Sequence, residues 1–189
     1  MSARIEPGGL RDNGLAAWAF ARLAGRVTGT EPPHVFTVLG RGRGLFWGWL
    51  HFAGRLMPFG SLPRPDSELV ILRVATLREC DYELEHHRRL ARRAGLARED
   101  VERVPEGPDA SGWTDRHRLL LRVADELVTT RDVSDGTWVV VRDLLSPREA
   151  LELVLLATHY DMLATTLRTL RVPPDRPRVS AASVGSSRR

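Results

Sequence analysis

The chain has 189 residues, 42% of them apolar, with 28 basic against 24 acidic side chains and a single cysteine. That length suits one domain with a sizeable core, the interleaved charges imply no large one-signed field that would draw nucleic acid, and a lone cysteine excludes an internal disulfide. No apolar run approaches the roughly 20 residues needed to cross a bilayer, and residues 1–10 lack the basic-then-apolar layout of a secretory signal. The expectation is a cytoplasmic protein with no membrane or nucleic-acid partner. Every basic residue is arginine, which removes any lysine Schiff-base mechanism.

Helical punctuation runs the length of the chain. Residues 12–25 carry Leu15, Trp18, Ala19 and Leu23 at helical spacing. Pro32 and Pro33 open a short helix through Leu39, closed by Gly40, Gly42 and Gly44. Residues 45–57, with Trp47 and Trp49, read as a core helix stopped at Pro58-Phe59-Gly60. After a loop over residues 61–65, Asp66 or Ser67 caps a helix to about Leu77. The polar run Arg78-Glu79-Cys80-Asp81 permits a turn, and a second helix then runs to Ala94 and closes at Gly95. A short helix over 97–104 and a loop over 105–112 follow. Thr114 opens a helix through Val128, and Ser134 another through Leu145. Ser146-Pro147-Arg148-Glu149 is a capping box with proline at the first helical position, starting a helix that ends near Leu170. Residues 173–189 are dominated by Pro, Ser and Arg and are expected to be a disordered tail. No strand-like alternation is sustained and no repeat of fixed length occurs. The fold expected is all-α, one domain over residues 1–172.

Four residues carry the chemistry. Glu68, Cys80, Glu83 and His87 read E-x11-C-x2-E-x3-H. At 100° per residue the last three fall within an arc of roughly 60° on one helix face. Leu84, Ala91 and Ala94 continue that stripe, while Arg88, Arg89, Arg92 and Arg93 point elsewhere and read as a solvated face. Polar groups on an apolar face must be partnered, and a titratable trio there is a candidate reaction centre. On one unbroken helix Glu68 would stand about 18 Å from Cys80. A turn before Asp81 folds the pair into an antiparallel hairpin and brings Glu68 towards the trio. The same turn places Cys80 at a helix N-terminus, which favours a thiolate, against the opposing charges of Glu79, Asp81 and Glu83.

The segments 68–75, 80–87 and 90–96 together resemble the carboxymuconolactone decarboxylase and alkylhydroperoxidase D-like superfamily, more loosely from Pro33 to about Leu163, with a core motif over 66–96. The resemblance implies an AhpD-like bundle of about seven to eight helices around a central antiparallel hairpin, assembled as a homo-oligomer, a trimer or hexamer. In the peroxidase branch Glu, Cys-x-x-Cys and His form the motif. Glu68, Cys80 and His87 match, but Glu83 occupies the second cysteine's position, so a dithiol–disulfide cycle within one chain is not available. In the decarboxylase branch the chemistry is attributed to acid–base groups, a role suited to Glu83 and His87.

The leading expectation is therefore an enzyme without cofactor or metal: an acid/base lyase or isomerase acting on a small or medium organic acid, lactone or carbonyl compound. His87 serves as general acid or base, Glu83 orients it, and Glu68 and Cys80 complete the relay. Tyr160 and Tyr82 are expected to line the substrate pocket, although packing is the simpler explanation for Tyr160 and for its neighbour His159. One rival is a one-cysteine hydroperoxide reductase using Cys80 and an external thiol; the other is a ligand-binding oligomer without activity. A metal site on Cys80, Glu83, His86 and His87 is the weaker reading, because a carboxylate-bridged bundle needs two helical E-x-x-H motifs plus further glutamates.

Overall fold

Side-chain caps mark several of the helix boundaries. A computed structural model describes residues 2–178 and contains, in order, α1 (Leu10–Thr28), α2 (His34–Leu39), α3 (Gly44–Leu56), α4 (Arg64–Leu77), α5 (Asp81–Arg93), α6 (Arg98–Arg103), α7 (Asp115–Thr130), α8 (Asp135–Leu144) and α9 (Pro147–Leu170). Thr114 accepts the N–H of His117 to start α7, and Ser134 that of Thr137 to start α8. Each satisfies an N–H that a helix start leaves orphaned. The box expected before α9 is formed: Ser146 N–H donates to Glu149 at 2.9 Å and Glu149 N–H to the Ser146 hydroxyl at 3.3 Å. Among the described residues there is no strand, and no helix is long and apolar enough to cross a membrane. The all-α expectation holds.

The described residues fall into two compact units, 2–48 with 170–178 and Trp49–Thr169. In the first, Phe20, Phe36, Phe46 and Trp47 meet edge to face with centroids 5.1 to 6.5 Å apart. The face of α1 differs from expectation. Asn13, Ala17, Ala21 and Gly25 are buried, whereas Leu15 and Leu23 are 70% and 58% exposed. Close approach explains it: a Cβ on Gly25 would stand 2.7 Å from the Glu31 carbonyl oxygen. Small residues fit that seam and leucines do not.

The expected disordered tail needs correction over its first six residues. Asp175 accepts the His34 N–H at 2.7 Å, Glu31 N–H donates to the Arg176 carbonyl at 2.9 Å, and Pro177 bridges Thr30. Backbone and carboxylate acceptors order the segment without an apolar anchor, which composition does not reveal. Residues 179–189 of that tail lie outside the described residues.

In the second unit, α4 is the central element, with every residue from Asp66 to Ala75 buried. It packs on α5 and α7, and Leu69, Ile71, Leu72, Leu120, Leu121, Leu153 and Leu156 are at most 1% exposed. The guanidinium of Arg73 enters this core and is met by four hydrogen bonds. It donates to both Asp125 oxygens at 2.5 and 2.8 Å and to the Val104 and Pro105 carbonyls at 3.0 and 3.1 Å.

Candidate active site

The turn between α4 and α5 creates the site. Backbone bonds close it, from Arg78 N–H to Val74, Glu79 N–H to Thr76 and Cys80 N–H to Ala75. Glu79 adopts a φ of +48°, a left-handed conformation that costs a non-glycine residue roughly 1–2 kcal/mol. Cys80 is the extended N-cap of α5. The chain doubles back, so α5 lies along α4.

This reversal brings three of the expected site residues into contact. The Glu68 carboxylate stands 2.7 Å from His87 Nδ1, and the Glu83 carboxylate 3.1 Å from His87 Nε2. All three side chains are buried, Glu68 completely. Carboxylates are acceptors, so a ring held between two of them donates from both nitrogens and is an imidazolium. Burial alone would strip that proton. The hydrogen bonds to Glu68 and then Glu83 outweigh it and push the His87 pKa up to about 9.

A fourth member was missed at the sequence level. Arg64, one turn before Glu68 on α4, places Nη2 2.8 Å from the other Glu68 oxygen while its side chain stays 36% exposed. The i,i+4 spacing was the available signal. Two cationic groups and two carboxylates thus alternate as Arg64–Glu68–His87–Glu83.

Cys80 is 2% exposed at the start of α5. Burial pushes its thiol up to about 11; the Glu83 backbone N–H pulls it down, and the Glu83 charge adds to the rise. Burial and the Glu83 charge thus favour the neutral thiol over the thiolate that a helix N-terminus would favour. Tyr160, on α9, meets the His87 ring edge to face at 5.2 Å. Burial and the Glu83 and Glu68 charges hold its phenol well above the usual range. Tyr82 is buried in the first turn of α5. His159, set aside as packing, is 4% exposed and stacks near-parallel on Trp49 at 6.3 Å. Among the described residues no group of three or more His, Cys, Asp or Glu side chains is arranged to hold a metal ion.

The carboxymuconolactone decarboxylase family pattern matches residues 43–126, the stretch that supplies Arg64, Glu68, Cys80, Glu83 and His87. An uncharacterized peroxidase-related protein from Ralstonia eutropha JMP134, with an alkylhydroperoxidase AhpD core, has a TM-score of 0.80 at 16% identity over 91% of this chain and 92% of its own. A peroxidase-related protein from Silicibacter sp. TM1040 gives 0.77 at 15% identity over 100% of both chains. The fold is that of the alkylhydroperoxidase D-like proteins, and residues 43–126 match the carboxymuconolactone decarboxylase family. The debrominase Bmp8 shares the fold with a TM-score of 0.74 at 15% identity, covering 94% of this chain and 92% of its own. No curated protein matches the chain. At the position that a second thiol takes in the peroxidase motif, this chain carries a buried carboxylate bonded to the site histidine.

Proposed function

We propose that the protein is an acid/base lyase or isomerase for a small or medium organic acid, lactone or carbonyl compound, and that it moves a proton with its own side chains. The observation that carries this reading is the His87 imidazolium held between the Glu68 and Glu83 carboxylates. A charged donor beside a carboxylate offers both halves of a proton transfer at neutral pH. Glu83 takes the proton from carbon, His87 returns one to the developing enolate, and Glu68 with Arg64 fixes the ring. Tyr160 and Tyr82 border the substrate. Incubation in deuterated water with a panel of unsaturated lactones and oxo acids tests it. Deuterium should enter carbon in the wild type and not in His87→Gln or Glu83→Gln. Equal incorporation by His87→Gln would remove the assignment.

A thiol reading is favoured by one specific observation. A cysteine-to-alanine variant of the debrominase Bmp8 has been crystallised with 2,3,4-tribromopyrrole, at a TM-score of 0.76 and 15% identity to this chain. By analogy Cys80 would attack a peroxide or a halogenated ring and be regenerated by an external thiol. Its burial and raised pKa weigh against this. Rapid, saturable formation of a Cys80 sulfenic acid under peroxide would reverse the order of the two readings.

The protein is further proposed to act in the cytoplasm as a homo-oligomer, a trimer or hexamer. Support comes from apolar side chains left outside on α8 and α9, such as Val139 and Leu151 at 56% and 61% exposure. Light scattering on the eluted protein gives the mass; a monomer at micromolar concentration would reject it.

A further inference from the structure

A buried proton relay needs a route by which it regains its proton, and the aromatic cluster on its α9 side supplies the groups. His159 is nine-tenths buried, and its Nδ1 has no hydrogen-bond partner among the described residues. An unmet buried polar atom costs on the order of 1–3 kcal/mol, so a nitrogen left in that state calls for a function or a transient partner. The surroundings of the ring are ordered from outside to inside. Phe52, 40% exposed, meets His159 at 5.3 Å; His159 meets Tyr160 at 5.4 Å; Tyr160 meets His87 at 5.2 Å. Trp49 stacks on His159 at 6.3 Å.

We propose that His159 is the group through which the Glu68–His87–Glu83 relay exchanges its proton with solvent. The proposal rests on reading the trio as a proton relay. His87 passes its Nε2 proton to Glu83, at 3.1 Å. The resulting carboxyl group hands that proton to a neutral nitrogen of His159, directly or through one water, and His159 releases it to bulk water. The reverse sequence recharges the site. One proton moves in each step and no electrons are transferred.

The electrostatics suit the recharging direction, in which a proton on His159 passes inward to the more basic His87. Burial lowers the His159 pKa and the Glu83 charge partly restores it, so His159 rests neutral beside a charged His87. Two imidazoles with opposite displacements form a donor and an acceptor. The ionisable groups around them are Arg64 and Glu68 on α4, Glu83, His87 and His86, which meets His87 edge to face at 5.3 Å, on α5, and Tyr160 on α9; Trp49 and Phe52 on α3 add none.

The test needs no substrate. In the full chain labelled with 15N-histidine, the exchange rate of the His87 ring N–H protons with water is measured by NMR. His159→Phe keeps a ring in the stack and removes both nitrogens. Exchange should slow at least about tenfold, and millimolar imidazole should restore part of the rate. His159→Gln provides the same reading should the phenylalanine variant not fold. An unchanged rate with the His87 shifts intact would overturn the proposal, as would a loss that imidazole does not rescue. Because turnover is not involved, loss of activity in His87→Gln together with normal exchange in His159→Phe would retain the acid–base reading and remove this one.

Discussion

The His87 imidazole lies 2.7 Å from the Glu68 carboxylate although 19 positions separate them in the chain. Two helices and a three-residue turn hold them together, so the contact is a property of the hairpin and not of either helix. Its energy is therefore coupled to the fold, and pH is the simplest probe of it.

The His87 pKa rises from 6.5 to about 9 on folding. A raised folded-state value contributes stability that is complete below the unfolded pKa and lost as pH climbs through the folded one. At about 1.4 kcal/mol per tenfold change in acidity, the displacement corresponds to on the order of 3 kcal/mol. Urea midpoints of the wild type should fall between pH 6.5 and 9, and those of His87→Gln should stay flatter across that window. Parallel profiles would show that His87 is not charged in the folded state.

Glu68 is completely buried and is shared by Arg64 and His87. Glu68→Gln leaves two cations without their carboxylate. Removing one partner of a buried pair costs about 3–5 kcal/mol, so denaturant unfolding should show a loss of that order, and NMR titration should show a lower His87 pKa.

The resting state of Cys80 is open to a chemical test. With its thiol pushed up to about 11 and the side chain 2% exposed, the thiolate fraction at pH 8 is roughly two orders of magnitude below that of an ordinary cysteine. Iodoacetamide labelling followed by mass spectrometry should be slower than for glutathione by at least that factor. Labelling as fast as the small thiol would move the site towards redox chemistry.

The loop that leads into α4 depends on one side chain. Glu152 accepts the N–H of Ser61 at 2.5 Å and of Leu62 at 2.9 Å from across 91 and 90 positions. Glu152→Ala removes both charge-assisted acceptors, and a loss of about 2–3 kcal/mol is expected in thermal or urea unfolding.

The helices were legible because their signals are local: Thr114, Ser134 and the Ser146–Glu149 box cap in the structure as they read in the sequence. The reversal before Asp81 was legible from polarity alone, even though Glu79, not glycine, occupies its left-handed position. The pairing of Glu83 with His87 followed from helical spacing. What stayed hidden was either non-local or a matter of shape. The side of α1 that turns inward is decided by the clearance at Gly25, and His34 holding Asp175 spans 141 positions. The orphan Nδ1 of His159 depends on what surrounds the ring, which no spacing rule encodes.

The alternation Arg64–Glu68–His87–Glu83 has a consequence for how such a centre can change over generations. Losing Glu68, His87 or Glu83 leaves a buried charge without a partner it had, so each such solitary step runs uphill. Divergence towards new chemistry in this lineage should proceed by exchanges made two at a time, a cation departing together with a carboxylate.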